Sequence, residues 1–333
     1  MSEFQTHLCA KHRKNPVQKC TLVPHMNVTL KVPSISSADI VVYHSPCVDG
    51  HLSAALAHWF ACGQNQVLKF HGSSPQDAQD GKVIEKLGTS GITDSQFIVY
   101  CDICPRADTL RPMDLVIDHH PLAAKTASQI TDRSQVVFNT ERSGAALMWE
   151  YLTGTDVSNA PEFVRAVDLH DRGKFTEAQA LRSEQYYAAT SIIADQNENK
   201  PCFDCYIELM NNPEPLLNQT AEWVERHKKQ VAFFVQMARR VMFYEREAVF
   251  VYGADGRYAT DIGRALLDVQ SDPNKLVIVA RYDASKNLTF WSFRSRDGMS
   301  AAAAAQILRG NGHGNAAGAE THGPNVFEYL KFI

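Results

Sequence analysis

Aspartate and histidine residues cluster in four short segments of the chain, each directly after an apolar run or at the end of a helical pattern. Carboxylates and imidazoles together are ligands that suit Mn²⁺, Mg²⁺ or Zn²⁺. Two such ions about 3.5–4 Å apart can share one carboxylate and activate a water molecule. We therefore expect a divalent-metal site with hydrolytic chemistry, built from residues 44–50, 101–102, 118–120 and 168–173.

The elements that must position these segments are predicted to form a mostly parallel α/β sheet with helices on both faces. Apolar runs at residues 40–43, 67–70, 97–100 and 115–117 alternate with helical patterns such as residues 52–62. In an open parallel sheet, ligands bind beyond the carboxyl ends of the strands. Residues that follow different strands can therefore converge on one site.

Each segment taken alone has a more ordinary interpretation. A single Asp after a strand is usually a turn residue or a helix cap, and residues 118–120 would also suit a polar loop. The order of the four segments and their shared placement favour the metal site. Between the third and fourth segments, Ser143 is the predicted N-cap of a helix that ends at Gly154, and Pro161 begins the next helix.

A second, smaller α/β lobe is predicted beyond residue 240. Residues 222–241 form a long, charged, amphipathic stretch suited to joining two lobes. The lobe itself has predicted strands at residues 248–252, 276–280 and 288–293 and helices at 261–269 and 300–308. The expected organisation is a polar arm at 1–36, a larger domain at 37–185, a helical linker at 186–240 and the smaller lobe at 241–333.

Composition narrows the class of protein. The 333 residues are 44% hydrophobic and 21% charged, a normal globular mixture with a net charge of -4. Proteins that coat long duplexes usually carry a clear basic excess, so long-duplex binding is not expected. The chain has no apolar run long enough for a membrane span and no apolar signal-peptide core. An intracellular, cytoplasmic location is expected, and basic residues near the start leave a mitochondrial signal open.

The eight cysteines include two CxxC pairs, Cys101 with Cys104 and Cys202 with Cys205. Free thiols are expected in an intracellular protein of this size rather than disulfides. A zinc site built from both pairs is disfavoured, because such pairs are usually about 15–20 residues apart.

Residues 118–120 (DHH) after an apolar strand resemble the motif that names the DHH phosphoesterases. That superfamily includes RecJ exonucleases, oligoribonucleases, cyclic-dinucleotide phosphodiesterases and family II pyrophosphatases. Residues 43–50 (YHSPCVDG) are similar to its first motif, Asp102 matches its second, and residues 142–147 (RSGAAL) resemble the helix start that follows the DHH motif.

The C-terminal lobe resembles the one found in the RecJ and oligoribonuclease branch. Residues 310–318 (GNGHGNAAG) are similar to its GGGHxxAAG signature, although Asn311 stands where glycine is usual. Glycines let backbone N–H groups approach an anion, and an arginine can hold a phosphate through two hydrogen bonds. A flexible turn before a final strand remains the alternative for this run. The resemblance implies that the substrate phosphate is bound by Arg294, Ser295, Gly312 and His313.

The resemblance also implies two bound divalent ions, with Mn²⁺ as first choice and Mg²⁺ or Zn²⁺ as alternatives. It implies that Asp102 bridges the ions, that Asp118 orients the two histidines, and that His120 polarises the phosphate or its leaving group. Cys47 departs from the pattern, because the complete first motif carries an Asp there. The implied metal ligands are His44, Asp49, Asp102, His119 and either Asp168 or Asp171.

The expected function is divalent-metal-dependent hydrolysis of phosphoester bonds in short oligonucleotides or nucleotides. Two alternatives stay open. One is a small-nucleotide phosphatase, acting for example on 3′-phosphoadenosine 5′-phosphate. The other is a degenerate, non-catalytic nucleotide or nucleic-acid binder, which Cys47 suggests. The oligomeric state and the choice of RNA or DNA are not determined by the sequence.

Overall fold

The computed structural model describes residues 35–89, 96–129, 136–174, 176–197, 201–269, 275–298, 300–312 and 314–333. The chain forms two compact units that divide between Ala221 and Glu222. This division falls inside the segment 186–240 that the sequence assigns to a linker, and the four-segment organisation stays a prediction. The predicted polar arm lies almost wholly outside the described residues. No helix in the described ranges is long and apolar enough to cross a membrane.

The first unit is built on a five-stranded parallel sheet, in the order β2-β1-β3-β4-β5. Its central strands carry uninterrupted apolar residues because both faces of the sheet are covered, as is usual for parallel sheets. Separate apolar clusters cover the two faces. The strands are β1 (Ile40–His44), β2 (Lys69–Ser73), β3 (Ile98–Cys101), β4 (Leu115–Asp118) and β5 (Val136–Phe138).

Nine α-helices of the first unit lie in the described ranges. A few short 3-10 turns accompany them, among them Ile35–Ser37 and Ala107–Thr109. The helices are α1 (Val48–Gly63), α2 (Pro75–Gln79), α3 (Lys82–Thr89), α4 (Pro121–Gln129), α5 (Gly144–Thr153), α6 (Glu162–Asp171), α7 (Glu177–Gln196), α8 (Phe203–Asn211) and α9 (Glu214–Leu217).

The predicted helix after the third segment is confirmed as α5. The Ser143 hydroxyl accepts a hydrogen bond from the Ala146 N–H, which satisfies one of the unpaired donors of the first turn. At the other end, Gly154 adopts the left-handed conformation with φ of 67°, where glycine carries no steric penalty. Pro161 lies at the start of the next helix, as the sequence predicts, and directly precedes the first residue of α6, Glu162.

The second unit contains a seven-stranded mixed sheet in the order β10-β11-β9-β8-β7-β6-β12. Only the β7–β8 pair is parallel among its described pairings. The α/β fold class with a smaller C-terminal lobe is therefore confirmed. Helix α10 (Thr220–Gln236) begins two residues before the division between the units. The elements after it are β6 (Arg239–Phe243), β7 (Arg246–Tyr252), α11 (Gly256–Asp268), β8 (Leu276–Asp283), β9 (Leu288–Arg294), α12 (Ser300–Ile307), β10 (Asn311–Gly312), β11 (Ala316–His322) and β12 (Leu330–Phe332).

Two sequence expectations are corrected here. The amphipathic stretch 222–241 is not continuous: α10 ends at Gln236 and β6 begins at Arg239, because Val241 and Phe243 alternate into the core and pair with β7. Cys202 and Cys205 form a disulfide instead of free thiols. They lie at the start of α8, where a separation of three residues places their Cα atoms 5.2 Å apart.

Candidate functional site

Three neighbouring strands of the first unit end at the same edge of the sheet. The register pairs Tyr43 with Cys101 and Cys101 with Ile117. The residue after each of these three positions therefore lies at the carboxyl edge. These residues are His44, Asp102 and Asp118, which bring three of the four predicted segments together.

Asp102 lies at the centre of the cluster. Its side chain is 1% exposed, and its backbone adopts the left-handed conformation with φ of 57°. Its Oδ2 atom lies 3.2 Å from Nδ1 of His44, and its Oδ1 atom lies 3.2 Å from Nε2 of His119 and 3.7 Å from Nδ1 of His120. Three imidazoles therefore surround one carboxylate.

Asp118 holds the two histidines that follow it. Its Oδ1 atom accepts hydrogen bonds from the backbone N–H groups of His119, at 2.7 Å, and His120, at 3.1 Å. The same oxygen lies 2.7 Å from Nδ1 of His120. This carboxylate thus fixes both the backbone turn and the orientation of the His120 ring, the kind of support that orients ligands in metal sites.

Asp49 reaches the cluster from the first turn of α1. Its two carboxylate oxygens accept the N–H groups of Gly144, at 2.6 Å, and Ala145, at 2.8 Å. These are unpaired donors at the N-terminus of α5, where the helix dipole favours a negative charge. The Asp49 Oδ2 atom also lies 3.7 Å from Nε2 of His119.

The structure distinguishes the two candidate carboxylates of α6. Asp168 accepts the Ser143 N–H at 2.8 Å and pairs with the guanidinium of Arg172. Asp171 instead lies with its Oδ2 atom 3.5 Å from Nε2 of His119. Asp171 therefore joins the cluster, whereas Asp168 ties α6 to the start of α5.

Gly144 permits a close approach that any side chain would block. A Cβ atom on this residue would lie 2.6 Å from Cβ of Asp102. Sequence reasoning did not identify the Gly144 and Ala145 amides or Arg172 as parts of the site. The signal that could have revealed the amides was present, because a predicted N-cap at Ser143 marks a helix N-terminus that suits an anion.

The charges in the cluster perturb one another strongly. Burial alone would raise the pKa of Asp102, but the imidazoles of His119 and His44 hold it well below its usual value. Burial alone would lower the pKa of His119, but Asp102 raises it to about 11. Burial, reinforced by the charges of Asp102 and Asp171, raises the pKa of Asp49 well above its usual value. The carboxylates thus favour positive charge beside them, which bound cations can supply.

The donor set fits divalent cations. Asp102 and His119 each belong to more than one group of ligand atoms, as two neighbouring ions would require. The Asp102 Oδ1 atom is also buried without a hydrogen bond of good geometry to any described residue. Three groups have their ligand atoms within 4.8 Å of one another: Asp102, Asp118, His119 and His120; His44, Cys47 and Asp102; and Asp49, His119 and Asp171.

The predicted phosphate-binding residues lie in the second unit. Arg294, at the end of β9, donates to the Ser292 hydroxyl, the Phe293 carbonyl and the Thr260 hydroxyl. Burial lowers the pKa of Arg294 to about 10. The Ser295 hydroxyl donates to the Gly314 carbonyl and accepts the Ala301 N–H, so both of its bonds are internal.

The glycine run of the second unit is only partly described. Gly312 has φ of 144° in β10, where a Cβ atom would meet Ala317 at 2.4 Å. His313 lies outside the described residues. Substrate binding by Arg294, Ser295, Gly312 and His313 stays a prediction.

Comparison with known proteins gives a likeness in structure. No protein-family model and no curated protein sequence matches the chain. RecJ from Thermus thermophilus, in complex with Mn²⁺, superposes with a TM-score of 0.50 and 13% identity over 88% of this chain and 50% of RecJ. A pGpG-specific phosphodiesterase from Vibrio cholerae superposes with a TM-score of 0.44 and 18% identity, over 85% of this chain and 93% of the phosphodiesterase. The DHH domain of a member of the S1p family of ribosomal proteins superposes with a TM-score of 0.48 and 13% identity, over 90% of this chain and 84% of that domain. At 13% identity, the likeness to the Thermus thermophilus RecJ structure shows a shared fold.

Proposed function

Since the chain has the fold of the DHH superfamily, we propose that it is a divalent-metal-dependent phosphoesterase. The observation that carries the proposal is the convergence of His44, Asp49, Asp102, His119 and Asp171 on the carboxyl edge of the parallel sheet. Placing several carboxylates together is costly unless cations compensate their charge.

Two ions would be held by the ligand groups that share Asp102 and His119. Mn²⁺ is the first candidate, because the RecJ structure of the same fold contains Mn²⁺ and because carboxylate and imidazole ligands suit that ion. Bound ions of this kind lower the pKa of a water molecule and neutralise charge that develops on a phosphate.

The residues around the ions have separate tasks. Asp118 positions the DHH turn and the His120 ring through its hydrogen bonds. In the metal-free protein, burial lowers the pKa of His120, but Asp118 raises it above its usual value. A protonated imidazole can donate to a phosphate oxygen or to the leaving group. Asp168 and Arg172 act indirectly, by fixing α6 against the start of α5.

We propose short oligonucleotides or nucleotides as the substrate class. The support is the net charge of -4, which disfavours long duplexes because their binding usually needs a clear basic excess. A small-nucleotide phosphatase acting on a substrate such as 3′-phosphoadenosine 5′-phosphate would use the same cluster. The two activities differ in product, because one releases mononucleotides and the other releases free phosphate.

The proposal is tested with a short 5′-labelled RNA in the presence of Mn²⁺. Wild type should release mononucleotides, and Asp102→Asn should abolish turnover because the shared carboxylate is lost. Asp108→Asn, at an exposed carboxylate outside the cluster, is the matched control and should keep full activity. Free phosphate from a nucleotide in place of mononucleotide release would favour the phosphatase. If the protein bound nucleotides or RNA but turned none of them over with any divalent metal ion, the proposed enzymatic activity would be refuted.

A further inference from the structure

One of the three ligand groups contains a sulfur atom. Cys47 lies directly before α1, and its Sγ atom falls within 4.8 Å of a ring nitrogen of His44 and a carboxylate oxygen of Asp102. The other two groups consist of aspartate and histidine alone. Cys47 therefore either fills space beside the site or binds a metal in it.

The position of Cys47 is fixed by the backbone around it. The Ser45 N–H donates to the Ser73 carbonyl at 3.0 Å, and the His51 N–H donates to the Cys47 carbonyl at 2.9 Å. A Cβ atom on Gly50 would lie 2.2 Å from the His44 carbonyl oxygen, so the first turn of α1 packs directly on the end of β1. These contacts hold the thiol beside His44 instead of leaving it on a variable loop.

The surroundings of the thiol are unsuited to simple packing. A buried cysteine outside a disulfide usually behaves as a small apolar side chain among apolar neighbours. Cys47 is partly exposed and instead lies beside the His44 imidazole and the Asp102 carboxylate. A thiol among side chains of this kind can itself bind a metal ion.

A second observation points to a cation at the same carboxylate. Asp102 is 1% exposed, yet its Oδ1 atom has no hydrogen bond of good geometry within the described chain. The Oδ1 atom has an ion-pair contact of 3.2 Å to Nε2 of His119. Buried carboxylate oxygens usually also have a well-aligned hydrogen bond, and a bound ion can take its place. Asp102 belongs both to the group that contains Cys47 and to the group that contains Asp118 and the two histidines after it.

We propose that Cys47 is a thiolate ligand and that His44, Cys47 and Asp102 form a zinc-selective position beside a manganese position at Asp49, His119 and Asp171. The inference rests on the proposed metal centre. A soft sulfur ligand favours Zn²⁺ over Mn²⁺ or Mg²⁺, whereas oxygen and imidazole ligands are compatible with Mn²⁺. As the metal–sulfur bond forms, the thiol proton passes to solvent, and no change in oxidation state is involved.

The test uses Co²⁺ as a spectroscopic probe on the full, metal-free chain. A cobalt–thiolate bond gives an intense charge-transfer absorption in the near ultraviolet, which oxygen and nitrogen ligands do not give. Wild type should develop this band as Co²⁺ is added, and Cys47→Ser should lose it while still binding Co²⁺. Cys62→Ser, at an exposed cysteine near the other end of α1, is the matched control and should keep the band.

The outcomes separate this inference from the proposed function. Co²⁺ binding to wild type without the band, or an unchanged band in Cys47→Ser, would overturn the role of Cys47 and leave the metal centre standing. Failure of every protein to bind Co²⁺ would overturn both. As a second measurement, Cys47→Asp should lower the preference for Zn²⁺ over Mn²⁺ by about tenfold or more, roughly 1.4 kcal/mol. An unchanged preference would contradict the zinc-selective position.

Discussion

At the scale of single residues, Asp168 and Asp171 show why spacing alone could not assign the fourth segment. Both lie in the last turn of α6, three residues apart, and either could face the site. The structure gives Asp168 an internal partner in Arg172 and turns Asp171 toward His119. The roles of the two residues depend on the position of the first turn of α5 relative to α6, because the Ser143 N–H binds Asp168. The sequence of α6 alone gives no information on that position.

This difference predicts opposite consequences for two conservative substitutions. Asp171→Asn should weaken Mn²⁺ binding by roughly tenfold or more, about 1.4 kcal/mol, and should leave the free energy of unfolding of the metal-free protein nearly unchanged. Asp168→Asn should lower that free energy by about 1–3 kcal/mol, because a charge-assisted buried partner is lost. Calorimetric metal titration and urea unfolding measure the two quantities. The reverse pattern would assign Asp168 to the metal.

Asp118 provides a second prediction at this scale. In Asp118→Asn the side-chain oxygen can still accept the backbone N–H groups, but the charge beside His120 is lost. We expect catalytic turnover to fall by roughly 10–100-fold, the usual effect of losing a supporting partner. The unfolding free energy should change little.

A matched control lies at the other end of β4. Asp114 is also buried, but it pairs with Arg111 and with the N–H of Ile98. Asp114→Asn should destabilise the fold and leave the turnover of the folded protein intact. Equal losses of turnover in both variants would show that Asp118 acts only through stability.

At the scale of elements, the N-terminus of α5 is the part that joins the site. Its amides bind Asp49, its Ser143 N–H binds Asp168, and Gly144 packs against Asp102. Gly144→Ala would place a methyl group 2.6 Å from Cβ of Asp102. The Asp102 side chain or the start of α5 would have to move to relieve this contact. We therefore expect the free energy of unfolding to fall by about 1–3 kcal/mol and Mn²⁺ binding to weaken. Urea unfolding and calorimetric metal titration measure the two effects.

Gly88→Ala in α3 is the corresponding control. A Cβ atom there would meet no atom of the described residues within 4 Å, and alanine favours a helix. This substitution should leave metal binding unchanged and be neutral or slightly stabilising in thermal unfolding. If Gly144→Ala behaved in the same way, the close approach of α5 to Asp102 would not be required.

Sequence patterns predicted the buried elements well and their margins poorly. Strand β1 and helix α5 were recognised because their apolar runs and caps are local signals. Helix α1 begins at Val48, four residues before its apolar pattern. In this first turn Asp49 reaches the site and Gly50 packs on the end of β1, so neither adds an apolar side chain to the pattern. Strand β2 begins at Lys69, after Val67, which is 90% exposed despite its β-forming side chain. Tertiary pairing decided these margins.

At the scale of the whole molecule, all the candidate metal ligands belong to the first unit, whereas the predicted phosphate-binding residues belong to the second. The sequence resemblance supplied both sets. Within the described chain, the geometry brings together the first set, because the ends of parallel strands meet at one edge. For the second set, the surroundings of Arg294 and Ser295 consist of internal hydrogen bonds, and these bonds do not reveal a ligand.

The location of the ligands predicts where metal should stabilise the molecule. A ligand that binds only the folded state adds about 2.7 kcal/mol of stability at a concentration 100 times its dissociation constant. With Mn²⁺, peptides that cover Ile40–His44 and Leu115–Asp118 should therefore exchange their amide hydrogens more slowly. Peptides from Leu276–Asp283, in the second unit, should exchange at an unchanged rate. Asp102→Asn removes the shared carboxylate and should abolish the first effect. Equal protection of both units would instead mean that metal binding stabilises the whole chain as one cooperative structure.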